Sequence, residues 1–210
     1  MIKKYVILLQ RETIMKKIYI ILTHTGTLLS QIIKYYTKDE FSHISIALDA
    51  DLKYMYSFGR LNPYNPFWGS FVHEYINKGT FKRFKNTQAE VYSMFITDEQ
   101  YEKAKKTISY FENNKQKYKF NILGLACVSI NKKIIKKNTF YCAEFVKHIL
   151  KNSGVTEVNQ LPDIIRPETF KELQGLRLEY KGLLRKYKKK NYLKLEEVHN
   201  LIKPNKISFV

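Results

Sequence analysis

The chain has 210 residues, 44% of them apolar, which is enough for one sizeable hydrophobic core and speaks against a predominantly disordered protein. Lys and Arg outnumber Asp and Glu 37 to 19, and the formal charge of +18 favours polyanions without choosing among nucleic acid, anionic lipid and anionic cell-wall polymer. Two cysteines are too few for a disulfide framework, and no run approaches the roughly 18 apolar residues of a membrane-spanning helix. No stripe of Arg and aromatic residues accompanies the charge, so no dedicated nucleic-acid site is expected.

Residues 1–14 are expected to be a peripheral segment. Their apolar stretch, Tyr5 to Leu9, is short and broken by Arg11-Glu12, a poor secretion signal, so a cytoplasmic or membrane-surface location is expected. Ile18 to Leu22 reads as a buried strand ending at Thr23-His24-Thr25-Gly26. Leu28, Leu29, Ile32, Ile33 and Tyr36 mark one face of a helix from Thr27 to Tyr36, capped by Thr27 or Thr25. From Phe41 to Leu48 the pattern alternates: Phe41, His43, Ser45 and Ala47 point one way, and Ser42, Ile44, Ile46 and Leu48 the other. Asp49-Ala50-Asp51 turns the chain into a returning strand from Leu52 to Phe58.

Gly59 to Gly69 reads as a long aromatic-rich loop forming a pocket wall, with Trp68 in it. Short strands are expected at Phe71–Ile76 and Thr80–Phe84, and a clearer one from Glu90 to Ile96. Thr97-Asp98-Glu99-Gln100 is a capping box that opens a helix to about Glu112, with Tyr101, Ala104, Ile108 and Phe111 inward. Tyr118 to Ile130 is ambiguous, although Gly124-Leu125-Ala126-Cys127 suits a close-packed helix. Lys132-Lys133 and Lys136-Lys137 read as a solvated turn. Pro167-Glu168 opens a helix through Leu173. Residues 15–180 are expected to form a single domain. Residues 181–210, with nine Lys/Arg against two Glu and weak helicity around Leu193–Ile202, read as a basic extension packed on it or trailing it.

The chemistry centres on Thr139-Phe140-Tyr141-Cys142-Ala143-Glu144-Phe145-Val146, which begins a helix that Asn152-Ser153-Gly154 stops. With Thr139 as N-cap, Cys142 occupies the third helical position, where unpaired backbone N–H groups and the helix dipole favour a thiolate. A nucleophilic cysteine needs a histidine base. His148, six residues on, is off the Cys142 face, and His199 lies in the weak tail. His73 sits on an uncertain strand, whereas His43 stands mid-strand between Ser42 and Ser45.

A Ser-His-hydrophobic strand, Phe41-Ser42-His43-Ile44-Ser45-Ile46, followed about a hundred residues later by Phe140-Tyr141-Cys142-Ala143-Glu144-Phe145-Val146, resembles the circularly permuted papain-like cysteine hydrolases of the NlpC-like superfamily. The resemblance covers residues 18–152. It implies an α+β papain-like fold, an antiparallel sheet with the nucleophile helix packed against it. It also implies Cys142 as nucleophile, His43 as base, and an acid, amide or second histidine on the next strand to orient the base. This chain departs there and offers Tyr56 or Ser57, either of whose hydroxyls can accept from the imidazole. The resemblance further places Thr23-His24-Thr25-Gly26, with His24 and Thr25, near the oxyanion site, beside Tyr141.

The expected reaction is hydrolysis of an amide, isopeptide or ester in a peptide, cell-wall or lipid-like substrate, with an anionic surface as a further partner and no cofactor or metal. The alternative is a catalytically silent domain of the same fold that binds an anionic partner.

Overall fold

Alternation of Ile18, Ile20 and Leu22 against Tyr19 and Ile21 suits a strand covered on both faces, and all five are buried in β1, Met15–His24. A computed structural model describes residues 14–62, 65–128 and 136–188 of the chain, with the side chains at 29, 62, 65–68, 123 and 126 outside the description. β1 is a central strand of a six-stranded sheet with β2, His43–Ala47, β3, Met55–Asn62, β4, Asn65–Glu74, β5, Gln88–Thr97, and β8, Arg177–Leu183, in the order β4-β3-β2-β1-β5-β8. Every pairing in it is antiparallel. Between β5 and β8 come α3, Asp98–Asn113, a short parallel pair of β6, Lys119–Phe120, with β7, Thr139–Phe140, α4, Ile122–Val128, and α5, Cys142–Asn152.

The sheet separates two apolar layers. On one face Ile18, Ile20, Leu22, Ile44, Ile46 and Phe58 pack against Ala104, Ile108 and Phe111 of α3 and Phe145, Val146, Ile149 and Leu150 of α5. On the other, Tyr19, Ile21, Ala47, Met55 and Val91 meet Phe81 and Leu184. The molecule is therefore α+β, a mostly antiparallel sheet with helices on it. No helix among the described residues is long and apolar enough to cross a membrane.

Several elements depart from the sequence reading for identifiable reasons. Leu52 adopts a left-handed backbone (φ 50°) in the turn closed by its N–H to the Asp49 carbonyl, so β3 begins only at Met55. Residues 59–62 and 65–69 are not loop: they complete β3 and begin β4, with Gly59 opposite Ser70 and Arg60 opposite Gly69. Gly69 is required, since a Cβ there would stand 2.5 Å from the Gly59 carbonyl oxygen and 2.7 Å from the Phe120 Cβ.

Thr80 to Phe84 forms no strand. It belongs to one helical turn, α2, Gly79–Arg83, because five residues cannot distinguish the two periods and only Phe81 finds a core. Pro167 to Glu172 coils as a 3₁₀ turn. The boundary at 180 falls inside β8, and buried Leu184 continues the domain past it. Residues 1–13, Lys132-Lys133 and the expected helix at Leu193–Ile202 lie outside the described residues; Lys136 and Lys137 are exposed.

Helix α1, Leu28–Thr37, is capped by Thr27, whose hydroxyl accepts from the Ser30 N–H at 3.3 Å. Its expected apolar stripe packs only in part: Ile33 is buried, while Leu28, Ile32 and Tyr36 are 75%, 45% and 60% exposed. The helix turns the edge carrying Thr27, Ser30 and Ile33 toward a cavity at the end of the sheet.

Phe145 is fully buried, its ring 5.2 Å from Phe58, 5.7 Å from Phe71 and 5.3 Å from Phe111, joining sheet, α3 and α5. Phe145→Ala is expected to lower unfolding free energy by about 3–5 kcal/mol in urea denaturation. The exposed Tyr110→Ala should cost less than about 1 kcal/mol. Similar losses for the two would contradict a core joined at Phe145.

Candidate active site

Thr139 does not cap the cysteine helix. Thr139 and Phe140 are drawn into the pairing with Lys119 and Phe120, where the Lys119 N–H donates to the Asn138 carbonyl at 3.0 Å and the Asn121 N–H to the Phe140 carbonyl at 2.8 Å. Extended Tyr141 is the N-cap, and Cys142 is the first residue of α5. The first intrahelical bond runs from the Phe145 N–H to the Tyr141 carbonyl, so the N–H groups of Cys142 and Ala143 precede the helical ladder. Glu144 reaches back to the Tyr141 N–H at 3.2 Å and fixes the entry into the helix.

His43 opens β2 at the end of the sheet. Its Nε2 lies 2.9 Å from Glu74 Oε1 and 3.1 Å from Oε2, while the Ser45 hydroxyl donates to Oε2. Glu74 ends β4, two strands away. It shares the His43 face because it stands opposite Met55, which stands opposite Ala47, two alternations along from His43. Side-chain exposures of 21% for His43 and 15% for Glu74 show that the pair is largely withdrawn from water.

Cys142 lines the same cavity as this ring and lies close enough to influence its protonation. Burial favours neutral imidazole, but the Glu74 charge and hydrogen bond, with the influence of nearby Cys142, outweigh it and raise His43 to about 10.

Cys142 is only 2% exposed, but it lines a cavity of about 60 Å³ with His43, Glu74, Thr25, Thr27 and Arg60. That cavity shares Arg60, Glu74, Thr80, Phe81 and Phe120 with a cleft of about 1090 Å³, which runs past His73, Tyr75 and Tyr118. The cysteine therefore stands at the inner end of an open depression.

The other expected site residues fall elsewhere, apart from Thr25. The Ser57 hydroxyl is buried and donates to the Ile44 carbonyl at 2.7 Å, and the Tyr56 ring stands edge-on to His73 at 4.9 Å. Neither partners the His43 ring. Glu74 occupies that role, from a strand later than the one expected. Tyr141 is buried, with its hydroxyl donating to the Ile165 carbonyl at 3.0 Å, so it packs beneath the helix and does not line the cavity. His24 does not line it either, and burial, followed by the charge of Lys34, lowers its pKa. The side chain of Trp68 lies outside the described residues. His73 pairs with Glu112 at 3.1 Å, and His148 contacts Asn152 at 2.9 Å. Among the described residues, no group of three or more His, Cys, Asp or Glu is arranged to hold a metal ion.

Glu74, Ser45 and Arg60 were missed as site residues. Glu74 had one sequence signal, an acid ending an apolar strand after His73, but nothing local aims it at His43. The chain matches no protein-family model, and no curated protein or solved structure is significantly similar to it.

Because His43 titrates higher in the fold than its ordinary value of 6.5, the stability it contributes is complete below that pH and is lost as pH rises through about 10. In Glu74→Gln the His43 midpoint, followed by NMR of the ring Cε1 proton, should fall by about one to three pH units. The decline in stability with rising pH should move down with it. An unchanged midpoint would mean that the carboxylate does not hold the ring cationic.

Proposed function

We propose that the protein is a cysteine-dependent hydrolase of the papain-like, circularly permuted NlpC-like kind, cleaving an amide, isopeptide or ester bond. The observation that carries this reading is the ring of His43 held by Glu74 at 2.9 Å in a cavity that Cys142, the first residue of a helix, also lines. Three further features support it: the histidine strand precedes the cysteine helix, the sheet is antiparallel, and the cysteine opens onto a cleft.

The roles follow from the geometry. In the reactive form the Cys142 proton already resides on His43, and the thiolate sulfur attacks the substrate carbonyl carbon, forming the C–S bond as the carbonyl electron pair moves to oxygen. The Cys142 backbone N–H, outside the helical ladder, is placed to donate to that oxyanion. Collapse breaks the bond to the amine or alcohol, which leaves with the proton from His43. Neutral His43 then takes a proton from water, whose oxygen attacks the thioester carbon; the C–S bond breaks, the acid leaves, and the thiolate–imidazolium pair is restored. Glu74 keeps the ring oriented and stabilises the imidazolium, as a third group does in a catalytic triad.

Hydrolysis of 4-nitrophenyl acetate and alkylation by iodoacetamide, with modified cysteines mapped by peptide mass, test this reading. Cys142→Ala should abolish ester hydrolysis above background, and His43→Ala should lower kcat/KM by about 100-fold or more. In the native protein Cys142 should be alkylated faster than Cys127, and the preference should vanish in His43→Ala. Ester hydrolysis that survives Cys142→Ala, or native Cys142 that is inert to iodoacetamide, would favour a silent domain binding an anionic partner.

A further inference from the structure

We propose that Arg60 is the anion-recognising residue of this site, selecting acyl substrates that carry a carboxylate or phosphate group close to the bond to be cleaved. The proposal rests on the hydrolase reading and adds a substrate class to it. Arg60 follows Gly59, whose Cβ position lies 3.6 Å from the Cε1 atom of His43, and it lines both the cavity holding Cys142 and the adjoining cleft. It is half-buried, and burial pushes its guanidinium down from the ordinary value while Glu74 opposes the shift.

A guanidinium in such a place is normally matched by a carboxylate, because partial loss of hydration without a counter-charge is unfavourable. Here the match is missing. Among the described residues no Asp or Glu lies within ion-pair distance of Arg60. Among those residues its one hydrogen bond is from Nη2 to the Thr27 hydroxyl at 3.4 Å. The two carboxylates that line the cleft are engaged elsewhere, Glu74 by His43 and Ser45 and Glu112 by His73. Lys78, Lys115 and Lys119 add positive charge along the cleft. Of five N–H donors on Arg60 most remain available, in a fork suited to two oxygens of one oxyanion. Phe71, Tyr75, Tyr118 and Phe120 line the cleft beyond it and offer apolar surface to the rest of the substrate.

The site can be read through Cys142 without knowing the substrate, by comparing alkylation rates with iodoacetate, which carries a carboxylate, and neutral iodoacetamide. In Arg60→Met the ratio of the iodoacetate rate to the iodoacetamide rate should fall about tenfold, the effect of one charge-assisted interaction. In Lys105→Met, which removes the same charge from an exposed position of α3 outside both cavities, the ratio should not change. Arg60→Lys should retain part of the preference, as a point charge without the fork.

Protection of the wild-type protein separates the two anions: slowing of iodoacetamide by succinate assigns a carboxylate site, and slowing by phenyl phosphate a phosphate site. A ratio unchanged in Arg60→Met, or equal losses in Arg60→Met and Lys105→Met, overturns the assignment. So does a lack of protection by either anion. If iodoacetamide itself fails to modify wild-type Cys142, the hydrolase reading falls first and this one with it.

Discussion

The arrangement at the cavity depends on the charge pair between His43 and Glu74, and that pair depends on strand register. Glu74 reaches the His43 face only because β3 pairs with both neighbours so that Ala47, Met55 and Glu74 stand in line. A slip of one residue in either pairing would turn the carboxylate to the helix-covered face and leave an imidazole withdrawn from water without its counter-charge. The apolar residues between them hold the register: Ile44, Ile46 and Phe58 cannot change faces without leaving the core shared with α5.

The cysteine is positioned by a separate device. The two-stranded pairing of Lys119–Phe120 with Thr139–Phe140 takes up the backbone just before α5, so the helix cannot begin before Cys142. Phe120 in turn closes against Gly69 on the edge strand, where any side chain would collide with backbone. The small parallel pair thereby ties the start of α5 to the β3–β4 hairpin, which carries Arg60 and Glu74. Two parts of the chain distant in sequence are thus fixed relative to each other by contacts outside the main core.

Charge has different meanings at different depths. Most of the described lysines are exposed, where screening limits what any one contributes. Glu90, buried in β5, is matched by Lys171 at 2.8 Å and Lys181 at 2.7 Å, and both lysines lie in the last part of the described chain. That cluster anchors β8 and the preceding turn to the sheet. Arg60 has no such match. The contrast between these two inward-facing sites separates a structural charge from one open to a ligand.

Much of the α+β architecture was legible because its signals are local. The alternation in Ile18–Leu22 and around Ile44 and Ile46, the capping box at Thr97–Gln100, and the helical spacing of Phe145, Ile149 and Leu150 each act over a few residues, and each is met in the fold. The same signals marked His43 and Cys142 as residues on a strand and at a helix start. They did not bring in Glu74, nor remove Ser57 and Tyr56, because side chains from strands two apart meet only through register. They also misled at α1, where of the expected stripe Leu28, Ile32 and Tyr36 are exposed and Ile33 is buried, and at residues 59–62 and 65–69, where loop-like composition forms paired strands at the sheet edge. Sequence by itself determined which segments coil or extend, since backbone preference and hydrophobic period are properties of neighbouring residues. Tertiary structure alone decided which charges meet, since burial and Coulomb energy depend on distances that no local pattern fixes.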